Sequence, residues 1–406
     1  MSGHEDPTSH AAERGGTSRF AGFAGFVGRL LPLPLRGRRR RLEREVDLGS
    51  LSQLALIRRA FTRHRLAMVG LFVLAVFYLV AIFAEFVATR PPSQRNVAYI
   101  HCPPTPVRLD WTHGLHVASL RQVVHPETLR RTYEPTGDVV PLQWLAPTEA
   151  STKLWDLVPL PRRLVGIASN DEAGGAFYPL GADKYGRCIF SRIVHGARVS
   201  LSVGLLGVGM TFVLGTLIGG ISGYLGGLAD TLIQRAIEII NAVPSLPLWI
   251  ALAAAMPPDW SPLRTYFAIT VVLSLLGWTG LARVVRGKIL TLREEEYAVA
   301  ARLMGASSGR VLVRHLLPGF ASHIIVALTL SVPGMILGET ALSFLGLGLR
   351  PPVVSWGVML QDCLDVKAVR FFPWLLLPSL FIIATVLAFN FVGDGLRDAA
   401  DPYSTK

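Results

Sequence analysis

Few side chains in this sequence could act chemically on a bound molecule, and those few are scattered. Cys102, Cys188 and Cys363 form no CxxC pair and no zinc-type spacing, so one disulfide and three free thiols are both open. No GxxxxGK(S/T) run is present, which removes a phosphate loop for ATP. His4 is followed by Glu5 but by no second histidine at metalloprotease spacing. Glu238, Glu339 and His323 are the ionisable groups in or beside the long apolar runs. All three fall near run ends, whereas a proton relay or sodium site needs such groups near the membrane midplane. No catalytic, cofactor-binding or metal-ligating residues are therefore expected. A driving force for any transport must come from outside the chain.

The elements that would position these groups are apolar helices. The chain has 406 residues, is 51% hydrophobic and has a mean hydropathy of +0.43. Its apolar residues fall in long runs, which excludes a typical soluble enzyme. The formal charge of +12 does not argue for nucleic acid, because the basic residues flank the apolar runs and suit membrane topology and anionic headgroups. Residues 1–50 read as a cytoplasmic basic tail, with Arg36 and Arg38 to Arg41 as its charged run and no clean secretory signal. Residues 51–88 read as an interfacial helix, Leu51 to Arg65, and a first span, Leu66 to Ala84. Residues 89–198 read as an extracytoplasmic region, partly β, with strands at Val139 to Leu145 and Leu164 to Ile167. Five more spans follow within 199–392. They are Val199 to Ile221, Ile239 to Met256 (broken by Pro244 and Pro247), Tyr266 to Leu281, Phe320 to Leu337 and Trp374 to Val392. Residues 393–406 read as a second cytoplasmic tail. The fold class is an all-α polytopic membrane protein with six transmembrane helices, both termini inside, and a partly β insertion between the first two.

One polar stretch, 291–319, interrupts the apolar pattern on the cytoplasmic side. Thr291 and Glu294 fit a capping box, with Glu294 to Glu296 in the first turn of a helix. Gly305 suits a left-handed helix end, and Ser307 or Ser308 can cap a second helix that must stop near Pro318. Ala298, Ala300 and Ala301 are small enough to let another surface approach. The stretch reads as helix, turn, helix.

Several motifs resemble one family. YAVAARLMGASSGRVLVRHLLPG resembles the EAA loop of ABC-importer permeases, in which an E-A-A triplet precedes a glycine lying thirteen residues before a proline. Ala300, Ala301, Gly305 and Pro318 keep that register, and Val299 stands where the motif has glutamate. PLGADKYGRCIFSRIVHGARVSL is similar to the entry of the second span in peptide-type permeases, with Ala182 for threonine and Cys188 for aspartate. GETALSFLGLGLRPPVVSWGVML and FNFVGDGLRDAADP resemble the same group, as does RRAFTRHRLAMVG. From about residue 51 onward the pattern is that of the C-type permease of dipeptide and oligopeptide importers. The resemblance implies a heterodimer with a second permease, two ABC ATPase subunits that bind the ATP, a periplasmic solute-binding protein, and a bacterial inner-membrane location. It implies an ATPase-docking loop at Glu296, Tyr297, Ala300, Ala301, Arg302, Gly305 and Pro318. Family motif positions are Gly181, Asp183, Gly186, Arg187, Gly393, Asp394, Gly395, Arg397 and Asp398, and the pathway candidates are Glu339 and Trp356. The alternative is a self-powered secondary transporter or channel.

Overall fold

The run from Leu66 to Ile82 carries no charge, and nothing in it opposes a helix. In a computed structural model, which describes residues 53–111, 114–127, 131–148, 152–167 and 176–400, it forms most of helix α2, Arg65–Ile82. The basic run at Arg36 to Arg41 and residues 401–406 lie outside the described residues. Before α2 comes α1, Gln53–Arg63, which carries the expected interfacial pattern. His64, in an extended conformation, separates the two, and its Nδ1 accepts from the Ala67 amide at 3.1 Å. That bond satisfies one of the orphan amides at the start of α2. A short turn, α3 (Ala84–Val87), follows α2.

The insertion is a four-stranded antiparallel sheet. Its strands are β1 (Arg108–Asp110), β2 (Gly114–Val124), β3 (Arg131–Pro147) and β6 (Arg162–Ile167), in the order β1-β2-β3-β6. The expected strands at 139–145 and 164–167 are both present, inside β3 and β6. The long β2–β3 hairpin escaped the sequence pattern because most of β3 is exposed and its polar positions do not alternate cleanly. Val117, Val140, Leu142 and Phe177 form the small core under the sheet. A two-stranded hairpin, β4 (Lys153–Leu154) with β5 (Val158–Pro159), lies between β3 and β6.

Among the described residues, five helices are long and apolar enough to cross a membrane. Besides α2 they are α4 (Ile189–Leu225), α7 (Pro262–Leu292), α10 (Ala321–Phe344) and α13 (Leu377–Ala400, preceded by a 3₁₀ turn). The sixth candidate is a bent pair, α5 (Gly227–Ala242) and α6 (Ser245–Ala254), which meet at 83° across Val243 and Pro244. Proline cannot donate to the preceding turn, so the break falls where the sequence places it. Helix α4 packs along α7, α2 along α13, and α10 against both α4 and α13. The crossing of α4 and α7 needs small residues, since a Cβ on Gly219 would sit 2.4 Å from the Ala282 carbonyl oxygen. The main core gathers side chains from all these helices, including Leu74, Leu201, Leu273, Ile336, Trp356 and Ile382.

Two helix boundaries differ from expectation. Helix α4 begins at Ile189 rather than Val199, because Arg192 is paired with Asp183 and its charge does not end the helix. The last helix does not end at Val392. Helix α13 continues to Ala400, and Gly393 and Gly395 serve packing rather than termination. Gly223 belongs to α4, and the turn into α5 is made by Gly226 and Gly227, with φ of 66° and 54°.

Candidate functional site

The polar stretch 291–319 folds as a helical hairpin, with a different start from the expected one. Thr291 is still inside α7, and its hydroxyl donates to the Gly287 carbonyl at 3.3 Å. No capping box forms. The N-cap of α8 (Glu296–Leu303) is Glu295, which makes no side-chain cap bond, so Glu296 is the acidic residue left in the first turn. Helix α7 runs through Ile289 and Leu290 to Leu292, so Thr291 lies within its last turn and cannot cap the next helix.

The far end of α8 matches expectation. Gly305 takes φ of 84°. Its amide donates to the Arg302 carbonyl at 2.9 Å, and the Ala306 amide donates to the Ala301 carbonyl at 3.0 Å. This pair of bonds is a Schellman cap. The chain then runs through helical residues 308–319, α over Ser308–Arg310, π over Val311–Leu316 and α again over Leu317–Gly319. Ser307 sits at the N-cap without a side-chain bond. The helix stops just after Pro318, at Phe320.

The two faces of α8 divide its residues. Ala298 and Ala301 are buried against Ile289, Val311, Leu316 and Phe320. Ala301 is therefore an internal packing residue and not a surface contact, and the same holds for Ala298. Small size lets α8 lie close to its own scaffold rather than to a partner. Glu296, Tyr297, Ala300, Gly305 and Pro318 are exposed. Arg302 is exposed, and its Nη2 donates to the Arg293 carbonyl at 2.7 Å, so it clamps α8 to the end of α7. Leu303 and Met304 are 84% and 82% exposed at the tip. Isolated exposed leucines need no explanation, but a pair on a rigid tip forms an apolar knob.

The hairpin is anchored through polar contacts between helices. Arg286 of α7 makes two bonds of 2.5 Å to the Asp230 carboxylate of α5. Ser222 of α4 donates to the same carboxylate, and Gln234 donates to Ser222 at 3.0 Å. Arg293 donates to the Gly223 carbonyl at 3.1 Å. Sequence reasoning missed this knot. Its one signal was an uncompensated Asp230 before an apolar run, with Arg286 at a distance in sequence.

The family motif positions fall in two separate places. Gly181, Asp183, Gly186 and Arg187 form one tight turn ahead of α4. Asp183 Oδ1 accepts from the amides of Tyr185 and Arg187 at 2.8 and 3.0 Å, and Oδ2 accepts from Arg187 Nε at 2.7 Å and from Arg192. Gly186 has φ of 70°, and a Cβ there would sit 1.9 Å from the Asn96 carbonyl oxygen. Lys184 pairs with Asp362 at 2.9 Å, and that bond raises the Lys184 pKa. The second group lies on α13. Gly393 and Gly395 face Leu330 and Ala67, while Asp394, Arg397 and Asp398 are exposed, with Asp398 3.7 Å from His64. His64 precedes α2 and the Asp183 turn packs beyond its other end, so the two groups do not form one site.

Glu339 and Trp356, the pathway candidates, are both buried in this chain. Glu339 has no exposed surface, and its Oε1 accepts from Ser343 and Ser355, each at 2.8 Å. Trp356 is buried, its indole donating to the Ile193 carbonyl at 3.0 Å and its amide to Ser200 Oγ at 3.1 Å. Both are interior ties between α4, α10 and the short helix α11 (Trp356–Leu360). All three cysteines are free thiols; Cys102 and Cys188 are buried, and burial pushes Cys102 up to about 12. No group of three or more metal-ligating side chains occurs among the described residues.

Residues 215–405 match the family described as binding-protein-dependent transport system inner membrane component. Residues 52–104 match the N-terminal TM domain of oligopeptide transport permease C. The chain is 41% identical over 222 residues to the dipeptide transport system permease protein DppC of Bacillus subtilis (strain 168), covering 55% of this chain and 68% of that one. It is 41% identical over 223 residues to the oligopeptide transport system permease protein OppC of the same organism, covering 55% and 70%. It is 43% identical over 224 residues to the dipeptide transport system permease protein DppC of Alkalihalophilus pseudofirmus, covering 55% and 71%. With its apolar helices and its short exposed helix at 296–303, the chain belongs to the binding-protein-dependent transport system inner membrane components, among the peptide-type C permeases of ABC transporters.

Proposed function

We propose that this chain is one of two permease halves in an ATP-driven importer of peptides or peptide-like solutes. The second permease completes the pathway, a periplasmic solute-binding protein delivers substrate, and two ABC ATPase subunits dock on the cytoplasmic side. Hydrolysis occurs on those ATPases and the chain itself is not an enzyme. It sits in the bacterial inner membrane with both termini in the cytoplasm, consistent with the density of Arg283, Arg286, Lys288, Arg293, Arg302, Arg310 and Arg314 around the hairpin.

The observation that carries this reading is the build of α8. A short helix that transmits force must not bend or slide relative to the spans. Its Schellman cap, the Arg302–Arg293 clamp and the Asp230–Arg286 knot supply that stiffness. Its outer face then offers Glu296, Tyr297, Ala300 and the Leu303–Met304 tip to a groove, the usual geometry of helix-in-groove recognition. Val299 cannot supply the motif's carboxylate, so shape and the apolar tip carry the contact.

The test replaces Gly305 with aspartate in the assembled transporter. Gly305→Asp places a side chain at φ of 84° and a charge beside the tip. Membrane insertion should persist while ATPase association or coupled uptake falls by about tenfold or more, the equivalent of roughly 1.4 kcal/mol. Normal uptake with normal ATPase association would sink the docking assignment.

A further inference from the structure

Two links between spans face each other across a cavity of about 210 Å3. One wall runs from Ala253, near the end of α6, to Thr265 in the first turn of α7. The other runs from Leu347 to Val353, in the stretch that follows α10. With both termini in the cytoplasm, as proposed above, six spans put both links on the outer side, where solute arrives.

Both walls are stiff and largely apolar. Pro257, Pro258 and Pro262 stand on one and Pro351 and Pro352 on the other. A proline ring fixes its own φ. The second wall is also tied down, because the Gly348 amide donates to the Leu342 carbonyl at 2.8 Å and the Leu349 amide to Ser343 Oγ at 3.0 Å. Arg350 is the one charged side chain on the lining. Its Nε donates to the Gly346 carbonyl at 3.2 Å, which steadies the guanidinium, and Arg350 makes no ion pair among the described residues. Asp259 falls between Pro258 and Trp260 in the chain, but it is exposed and not on the lining. One steadied guanidinium between apolar walls selects a single carboxylate joined to an apolar or aromatic group, since its fork matches the carboxylate oxygens.

We propose that this cavity holds the carboxyl-terminal residue of the peptide cargo at the outer mouth of the pathway. The cargo's α-carboxylate pairs with Arg350, and its last side chain packs on the proline walls and Trp260. A peptide's ammonium end meets no carboxylate on the lining, so the cargo enters carboxyl end first. This rests on the peptide-importer reading and adds to it an orientation for the cargo.

The experiment uses the assembled transporter in nanodiscs, without the solute-binding protein, and a mixture of tripeptides ending in a photoreactive phenylalanine. Adducts are mapped by mass spectrometry. They should concentrate on 253–265 and 347–353 and fall by about tenfold when the same tripeptides carry a carboxyl-terminal amide, on the scale of one charge-assisted pair. Arg350→Gln should lower the acid adducts to the amide level, and Arg350→Lys should retain much of them. Lys367→Glu, at another exposed outer cation, should change nothing. Equal labelling by acid and amide in the wild type would overturn the site. So would labelling of these walls only when the solute-binding protein is added and itself crosslinks there, which would make the cavity a seat for a segment of that protein. ATP-driven uptake of the mixture, measured alongside with the solute-binding protein, separates the two levels. Its absence in the wild type would sink the importer reading, whereas uptake with unlabelled walls would sink this site alone.

Discussion

The guanidinium of Arg302 donates to the backbone carbonyl of Arg293 at 2.7 Å, across the gap between the long helix α7 and the short helix α8. Arg293 is the C-cap of α7, so its carbonyl has no helical partner of its own. One side chain thus satisfies a helix end and fixes the angle of the next helix. A charged donor to a carbonyl at an exposed place contributes about 1 kcal/mol. Arg302→Ala should leave insertion and expression unchanged. It should speed amide hydrogen exchange across Glu296–Leu303 by about fivefold, the rate equivalent of that energy. Exchange equal to the wild type would show that the Schellman cap and Ala298–Ala301 packing hold α8 without the clamp.

How much of this hairpin was legible in the sequence depends on which force decides each residue. Gly305 was readable because a positive φ admits few residues, and Pro318 because a missing amide ends helices. The broken third span was readable for the same reason. Thr291 was misleading, since its capping pattern is a local preference of about 1 kcal/mol that the packing of α7 overrides. Ala301 was assigned to the surface because a small residue suits close approach on either face, and only the fold shows which face is inside. The Asp230–Arg286 knot spans 56 residues, and no local pattern links two charges so far apart.

The Asp183 turn carries the largest stability prediction. Its carboxylate accepts from two amides and two guanidiniums in a buried setting. Asp183→Asn removes the charge and leaves Arg192, itself buried, without its counter-ion. Breaking a buried pair in this way costs about 3–5 kcal/mol. Thermal unfolding in detergent should show a clear loss of midpoint, and Gly186→Ala should show a comparable loss because its methyl would meet the Asn96 carbonyl. A midpoint within a degree of wild type for both would remove the turn from any structural role.

Glu85 supplies a pH dependence. Burial pushes its pKa up, but the hydrogen bonds from Arg198 and its positive charge outweigh that and leave it below the ordinary 4.5. A lowered carboxylate contributes stability that is fully present above about pH 4.5 and is lost as pH falls through the folded value. Glu85→Gln should therefore be less stable than wild type at pH 7, and the gap should narrow below pH 4.5. Unfolding midpoints of the two proteins from pH 7 to pH 3 measure it. A gap that stays constant across that range would mean the charge on Glu85 contributes nothing to the fold.

Leu303 and Met304 carry the docking prediction most directly, because they are the most exposed large apolar side chains of the hairpin, at 84% and 82%. Fully burying a leucine or methionine side chain against a partner contributes about 1.5–3 kcal/mol each. Leu303→Ser with Met304→Ser removes that apolar area while keeping helix, cap and clamp. The double variant should unfold at the wild-type temperature, since both side chains are in solvent in the isolated chain. Its affinity for the ATPase subunits should fall by about a hundredfold or more, each 1.4 kcal/mol being tenfold. Substrate-stimulated ATP hydrolysis in the assembled complex should fall with it. If the affinity holds and the thermal midpoint drops instead, the knob packs within the permease, and the groove contact must lie on the Glu296, Tyr297 and Ala300 face alone.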